Sequence, residues 1–259
     1  MEKQLKVTVC EMEDEPTRFA EQWDELVGYV KKERSDLVVL PEMAFDKWLP
    51  ETRNFNQELW DRAVKNQEKW LERLVELAPA MIAASRPVNK SGKRLNEGFI
   101  WDKEKGYLFC HHKYHLPESE GVWERSWYHR GSGEFKAAKT DAFTAGFLIC
   151  SDLWFFQHSR QYGMHQGCQL LINPRKTERK TVDKWIVAGK ASAIVGGCFS
   201  LSANSATPGK NDFGGASWII NPNGIVLAQS SEREPFVSAV INLKEAQEAK
   251  STYPRELLD

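Results

Sequence analysis

Along the chain, short apolar runs alternate with longer stretches in which apolar residues recur every three or four positions. The short runs are rich in Val, Ile, Leu and Phe and bounded by Gly, Pro, Asn or Asp. They predict strands over 5–12, 36–41, 81–88, 99–101, 106–112, 143–150, 169–173, 199–203, 216–221, 225–229 and 236–243. Helical spacing predicts a helix over 16–34, carried by Phe19, Trp23, Leu26, Val27 and Val30, and a second over 58–77, carried by Leu59, Ala63, Trp70, Leu74 and Leu77. Two further helices are expected over 155–166 and 181–195. Asn221-Pro222-Asn223-Gly224 has the chemistry of a turn closing an antiparallel hairpin, because Pro presets φ and Gly accepts a positive one. Strand, helix and strand within 5–41 predict a crossover unit instead. Mixed sheets covered by helices follow, an α/β layered architecture. Segments 85–94 and 206–215 read as surface loops. No repeat, low-complexity tract or Pro/Gly/Ser-rich linker divides the chain, so a single domain over 1–259 is expected.

Composition narrows the picture. With 259 residues, 41% of them hydrophobic, there is enough apolar sequence for one sizeable core. Lys and Arg (35) balance Asp and Glu (36), which gives no support for a nucleic-acid-binding surface. The apolar runs are too short to span a membrane. Met1-Glu2-Lys3-Gln4 leads straight into a strand, with none of the features of a secretory signal. Five cysteines form no CxxC and include an odd one, which fits a reducing, cytoplasmic setting.

Candidate chemistry sits where strands stop. The run at 36–41 ends in Glu42, the run at 106–112 ends in Lys113, and the run at 143–150 ends in Cys150-Ser151-Asp152. A thiol with an ordinary pKa of about 8.5 needs a base or a cation to react at neutral pH. Glu42 has the chemistry to take its proton and pass it to a leaving amine, and Lys113 to hold a thiolate and an oxyanion. A helix beginning after Cys150, capped by Asp152, would present the Ser151 N–H as an oxyanion donor. Taken singly, a cysteine ending an apolar run is more often a small buried residue, and a Glu or Lys there a solvated one.

The residues around these positions resemble the nitrilase (carbon–nitrogen hydrolase) superfamily: Leu-Val-Val-Leu-Pro-Glu-Met (37–43), Lys-Tyr-His-Leu-Pro (113–117) and Leu-Ile-Cys-Ser-Asp-Leu-Trp-Phe (148–155). The likeness continues through Gly-Cys-Gln-Leu-Leu-Ile-Asn-Pro (167–174), Gly-Gly-Ala-Ser (214–217) and Ile-Asn-Pro-Asn-Gly (220–224), in the family's order. It implies a four-layer α-β-β-α sandwich with catalytic Glu42, Lys113 and Cys150, no metal or organic cofactor, and a homodimer or larger homo-oligomer. Many relatives carry a second glutamate on the lysine. Glu118, Glu120 and Glu124 compete for that place, and Glu124-Arg-Ser-Trp-Tyr-His-Arg-Gly131 resembles the family's Glu-Lys-Phe-Tyr-Phe-x-Pro-Gly stretch, which selects Glu124.

The resemblance also implies a reaction: hydrolysis of a small amide or N-carbamoyl compound through a cysteine thioester. Nitrile-cleaving relatives usually have Trp-Glu after the nucleophile, whereas this chain has Ser151-Asp152. Amino-acid carbamoylases place arginines where this chain has Leu153 and Trp154. A nitrile substrate, and a catalytically silent sandwich acting as a binding subunit, are the alternatives. Trp48, Trp123, Trp127 and Trp154 flank the catalytic segments and would either wall a pocket or simply pack. Arg175 follows Asn173-Pro174 where the family lines its pocket, and would bind an acidic group or form a surface salt bridge. His111, His112 and His115 surround Lys113, but neighbours at a strand end point apart and no HExxH or carboxylate completes a zinc site. GxSxG is absent, and the glycines at 131, 133, 196 and 197 are turn signals rather than phosphate loops.

Overall fold

The computed structural model describes residues 3–207 and 212–257. The first half of the chain runs β1 (Gln4–Met12), α1 (Pro16–Glu33), β2 (Leu37–Val39), α2 (Gln57–Arg73), β3 (Met81–Lys90), β4 (Lys93–Asp102) and β5 (Gly106–His112). It continues through α3 (Glu124–Trp127), β6 (Ala138–Lys139), β7 (Thr144–Phe147), α4 (Phe156–Arg160), β8 (Leu170–Arg175) and α5 (Val182–Gly196). The last elements are β9 (Phe199–Ser205), β10 (Trp218–Ile220), β11 (Val226–Gln229), β12 (Phe236–Asn242) and α6 (Leu243–Ala249).

The strands form two half-sheets, β5-β4-β3-β2-β1-β12 and β6-β7-β8-β9-β10-β11, joined where Glu11 and Met12 at the end of β1 pair with Asn204 and Ser205 of β9. Pairing is parallel through β1, β2 and β3 and through β7, β8 and β9, and antiparallel elsewhere in both halves. Between the sheets, Val7, Val9, Val39 and Ile100 of the first meet Phe147, Leu170, Ile172, Leu201 and Ile219 of the second. The outer face of the first sheet buries Phe19, Trp23, Leu26 and Val30 of α1, the i, i+4, i+7, i+11 stripe that the period predicts. Glu15 caps that helix by accepting the N–H groups of Thr17 and Arg18. The outer face of the second sheet is covered by the π-turn that follows α4, through Tyr162, and by α5, through Trp185, Ala188 and Ala193. The order of layers is therefore α-β-β-α.

Several boundaries move. The loop expected over 85–94 is the tip of the β3–β4 hairpin, turned at Ser91-Gly92 with both residues at positive φ (50° and 73°). Its polar residues project beyond the sheet and are wet on both faces, so no alternation marks them as strand. The strand expected over 99–101 accordingly begins at Lys93. The strand expected over 143–150 stops at Phe147, three residues before Cys150. Helix 58–77 ends at Arg73 and finishes as a 3-10 turn over Leu74–Leu77, while 155–166 divides into α4 and a π-turn over Gln161–His165. The elements α3, β6 and α6 have no counterpart among the predicted ones. Of the expected 206–215 loop, 208–211 lie outside the described residues; the flanking residues carry no strand beyond a bridge between Phe213 and Glu178.

Candidate active site

Glu42 follows β2 and Lys113 follows β5, both in the first sheet, and Cys150 follows β7 in the second, so the three meet at the end of the seam between sheets. Lys113 is fully buried, and its Nζ donates to Glu42 Oε1 (2.8 Å) and Glu124 Oε1 (2.7 Å). Backbone bonds fix its position: Lys113 N–H donates to Asn96 O (2.9 Å) and its carbonyl accepts from Gly131 N–H (3.0 Å). A Cβ on Gly131 would sit 2.3 Å from the His112 carbonyl, so this approach requires glycine. Glu42 Oε1 also accepts from Asn96 Nδ2 (2.7 Å), and its Oε2 from the Lys176 N–H (3.3 Å). Glu118 instead binds Ser126 N and Oγ (3.2 and 2.7 Å), and Glu120 is exposed; Glu124 is the carboxylate at Lys113.

Cys150 is 5% exposed and held at φ 47°, a conformation that a non-glycine residue adopts at a cost of about 1–3 kcal/mol. It opens a 3-10 turn over Cys150–Trp154. The N–H of Ser151 lies in the first turn, where helical N–H groups have no partner within the helix. Asn173 Nδ2 ties the approach by donating to Leu148 O and to Cys150 O (3.3 Å). The Ser151 hydroxyl donates to His115 O. Asp152 does not cap the turn as expected. Its Oδ1 accepts the N–H groups of Tyr114 (3.3 Å) and His115 (2.9 Å), and its Oδ2 meets His111 Nε2 (3.1 Å), which binds the nucleophile's turn to the segment after Lys113.

Burial pushes the Cys150 thiol well above its ordinary value; Glu42 and Glu124 add to this, and Lys113 opposes it. The resting nucleophile is therefore a thiol that must hand its proton to a base. Burial also works against the Lys113 ammonium, yet the Glu124 and Glu42 carboxylates, and the Cys150 sulfur once it ionises, hold it well above the usual lysine range. Glu124 is pushed up to about 8, first by burial and then by Glu42, with Lys113 pulling the other way. Two carboxylates share one ammonium, so one of them tends to carry a proton.

The other predicted site residues lie differently. Arg175 is fully buried, its guanidinium 4.3 Å over the Trp218 ring, with Nη2 donating to Gly215 O (3.0 Å) and Ala216 O (2.5 Å). Nε donates to Ser202 Oγ (3.0 Å) and Nη1 to Thr177 Oγ1 (2.6 Å). Neither the acid-binding nor the surface-salt-bridge expectation describes it; it clamps the 214–217 segment to β8. Trp154 is 41% exposed and packs on Trp185. Trp123 lies under Arg53 (5.4 Å), and its N–H donates to Pro50 O (2.9 Å), joining the 43–55 and 115–128 loops. Trp48 Nε1 and Trp127 Nε1 make the same join, to Gly121 O and Thr52 O (2.8 and 2.6 Å). His111, His112 and His115 diverge to Asp152, Glu97 and His158. Among the described residues no three metal-ligating side chains converge. Sequence reasoning missed Asn96, Asn173 and Tyr128. Only Asn173 carried a signal, the polar residue closing the predicted Leu-Leu-Ile strand, which in the structure continues to Arg175.

A buried thiol close enough to a carboxylate–ammonium pair to feel its charges, at the seam of a four-layer sandwich, is an arrangement suited to nucleophilic attack on a carbonyl carbon. Residues 6–251 match the carbon-nitrogen hydrolase family, and the chain belongs to it. It is 28% identical over 231 residues to a 2-oxoglutaramate amidase of Bacillus subtilis (87% of this chain, 86% of that one). It is 26% identical over 194 residues to the omega-amidase NIT2 of Bos taurus (72% and 70%). A carbon–nitrogen hydrolase from Helicobacter pylori G27 shares the fold with a TM-score of 0.86 at 20% identity, covering 98% of this chain and 94% of that one. The chain is therefore a carbon–nitrogen hydrolase. No helix among the described residues is long and apolar enough to cross a membrane.

Proposed function

We propose that Cys150, Glu42, Lys113 and Glu124 perform this hydrolysis on a small amide or N-carbamoyl compound. The observation that carries the assignment is the buried Lys113 ammonium bridging Glu42 and Glu124 beside a thiol held at positive φ. Cys150 Sγ attacks the carbonyl carbon while its proton passes to Glu42. The oxyanion is met by the third N–H of Lys113 and the Ser151 N–H. The C–N bond breaks, the amine leaves with the proton from Glu42, and a thioester remains. Water attacks the thioester, gives a proton to Glu42, and the acid and the thiol are released. Glu124 holds Lys113 in place. No step uses a cofactor.

Two named relatives act on ω-amides, so 2-oxoglutaramate heads the substrate panel, with matched nitriles and N-carbamoyl compounds beside it. The expected result is amide turnover, an acyl-enzyme adduct on Cys150 by mass spectrometry, and loss of both in Cys150→Ala. An active Cys150→Ala variant would overturn the assignment; a wild type that turns over nothing and is inert to iodoacetamide would favour the binding-subunit alternative. The same reading makes residues 1–259 one domain in a reducing cytoplasm, supported by five unpaired, buried cysteines. It also makes the protein a homodimer or larger assembly, supported by exposed Val187, Ile225 and Val240; light scattering tests this.

A further inference from the structure

Glu42 belongs to the first sheet and Cys150 to the second, so the base serves the nucleophile only if the two sheets are held in register at this end of the seam. The residues at the end of β8 make that join. Glu42 N–H donates to Arg175 O (3.3 Å), and Lys176 N–H donates back to Glu42 Oε2 (3.3 Å), a reciprocal pair between the end of β2 and the end of β8. β8 lies beside β7, the strand that leads to Cys150, and the same Lys176 N–H is near enough to Cys150 to favour its thiolate. The Lys176 side chain then runs back into the loops of the first sheet. Its ammonium donates to Asp14 Oδ2 (3.0 Å), just past β1, and to Asp46 O (2.8 Å), in the loop that Glu42 opens. Asp14 also accepts Trp48 N–H on Oδ2 (3.0 Å) and the Thr207 hydroxyl on Oδ1 (2.9 Å). The ion pair is shut off from water, with side chains 0% and 8% exposed, so it adds little stability over apolar side chains of the same size. What it supplies is direction: Lys176 is bonded at its backbone and at its far end to the segment that carries Glu42.

We propose that Lys176 is a positioning residue: anchored by Asp14 and the Asp46 carbonyl, it fixes the backbone N–H that holds Glu42 Oε2 beside Cys150, and so registers the base of one sheet against the thiol of the other. The inference rests on the Cys150–Glu42 reading above and deepens it. The two oxygens of Glu42 have different duties. Oε1 is taken by Lys113 Nζ and Asn96 Nδ2 (2.8 and 2.7 Å), which leaves Oε2 as the oxygen with room for the thiol proton. One long hydrogen bond from Lys176 N–H orients Oε2 without filling its lone pairs. If the 175–176 backbone slips, Oε2 loses its direction while Oε1 and the Lys113 ammonium keep their partners. The loss then falls on proton transfer to and from Glu42, not on the groups that meet the carbonyl oxygen. A misplacement of about 1 Å is enough to cost on the order of a hundredfold in rate.

The test uses Lys176→Met and, because that change leaves the Asp14 carboxylate buried alone, the double variant Asp14→Asn/Lys176→Met, which removes both charges. Each is compared with wild type at the same interval below its own Tm. The fastest amide of the panel above gives kcat and KM, and iodoacetamide gives the rate of Cys150 alkylation at neutral pH. The double variant is expected to melt close to wild type and keep KM within about threefold, while kcat falls about 10–100-fold and alkylation slows about tenfold. A double variant that matches wild type in kcat and alkylation rate would overturn the proposal and leave the ion pair a structural one, as would a loss confined to Tm or to KM. Cys150→Ala separates this proposal from the reading beneath it. If that variant still turns over the amide, the Cys150–Glu42 reading falls and takes this proposal with it; an inactive Cys150→Ala beside a fully active double variant overturns this proposal alone.

Discussion

Asp152 offers a direct trial of how the site is assembled, because one buried carboxylate holds two strands' worth of catalytic chain. It stands two residues after Cys150 and accepts three donors: Tyr114 N–H, His115 N–H and His111 Nε2. Replacing it with alanine leaves all three without a partner, His111 fully buried and the two backbone N–H groups partly so. At about 1–3 kcal/mol for each unsatisfied group, and allowing that water reaches one of them, the loss is about 3–5 kcal/mol. For a chain of this size each kcal/mol moves Tm by about 2–4 °C, so Asp152→Ala should melt roughly 6–20 °C early. Asp152→Asn keeps an oxygen for the two backbone donors and asks only that His111 accept from the new amide, at a cost of about 1 kcal/mol. The expected order of stability is wild type, then Asp152→Asn, then Asp152→Ala well below both. Assayed well below its Tm, Asp152→Ala should also lose about a hundredfold in kcat, because the Lys113 segment is no longer registered against Cys150. Thermal melts by circular dichroism and steady-state rates on the same preparations measure both. An alanine variant that melts within about 2 °C of wild type and keeps its kcat would refute the claim that this carboxylate aligns the site.

Glu124 carries a pH signature. Its carboxyl is raised from 4.5 to about 8 by burial, so between those values the folded protein holds a proton that the unfolded chain has released. Stability from this group is full below pH 4.5 and lost as pH rises to 8. Glu124→Gln cannot ionise, so its Tm relative to wild type should improve from pH 5 to pH 8.5; a difference independent of pH would count against the shift. Arg175 separates clamping from substrate binding. Arg175→Lys loses the fork that serves Gly215, Ala216, Ser202 and Thr177, and urea denaturation should show about 2–4 kcal/mol lost while KM changes less than twofold. A raised KM at unchanged stability would restore a substrate-binding role.

The layers were legible because their cause is periodic. The α1 stripe and the apolar runs of β1, β8 and β9 repeat at the spacing of the faces they bury. The β3–β4 hairpin escaped for the converse reason: its tip, with Lys90, Lys93 and Arg94, buries little on either face, so the residues satisfy the ladder without advertising it. The short α3 and β6 are too brief to complete a period.

At the site, Glu42, Lys113 and Cys150 stood out because a polar or reactive residue ends an apolar run, a contrast visible within a few positions. Their supports have no such local mark. Asn96 reaches Glu42 across 54 positions and His111 reaches Asp152 across 41, and nothing in either neighbourhood names the partner. Arg175 shows the same limit from the other side. An arginine after Asn-Pro at a strand end has one appearance in sequence whether its fork meets a substrate carboxylate or two backbone carbonyls. The choice is made 40 residues further on, where Gly215 at φ 57° and Ala216 at φ 54° turn their carbonyls toward it. Chemistry-bearing groups can thus be read from where structure stops, whereas the groups that orient them are defined by distant contacts and follow only from the fold.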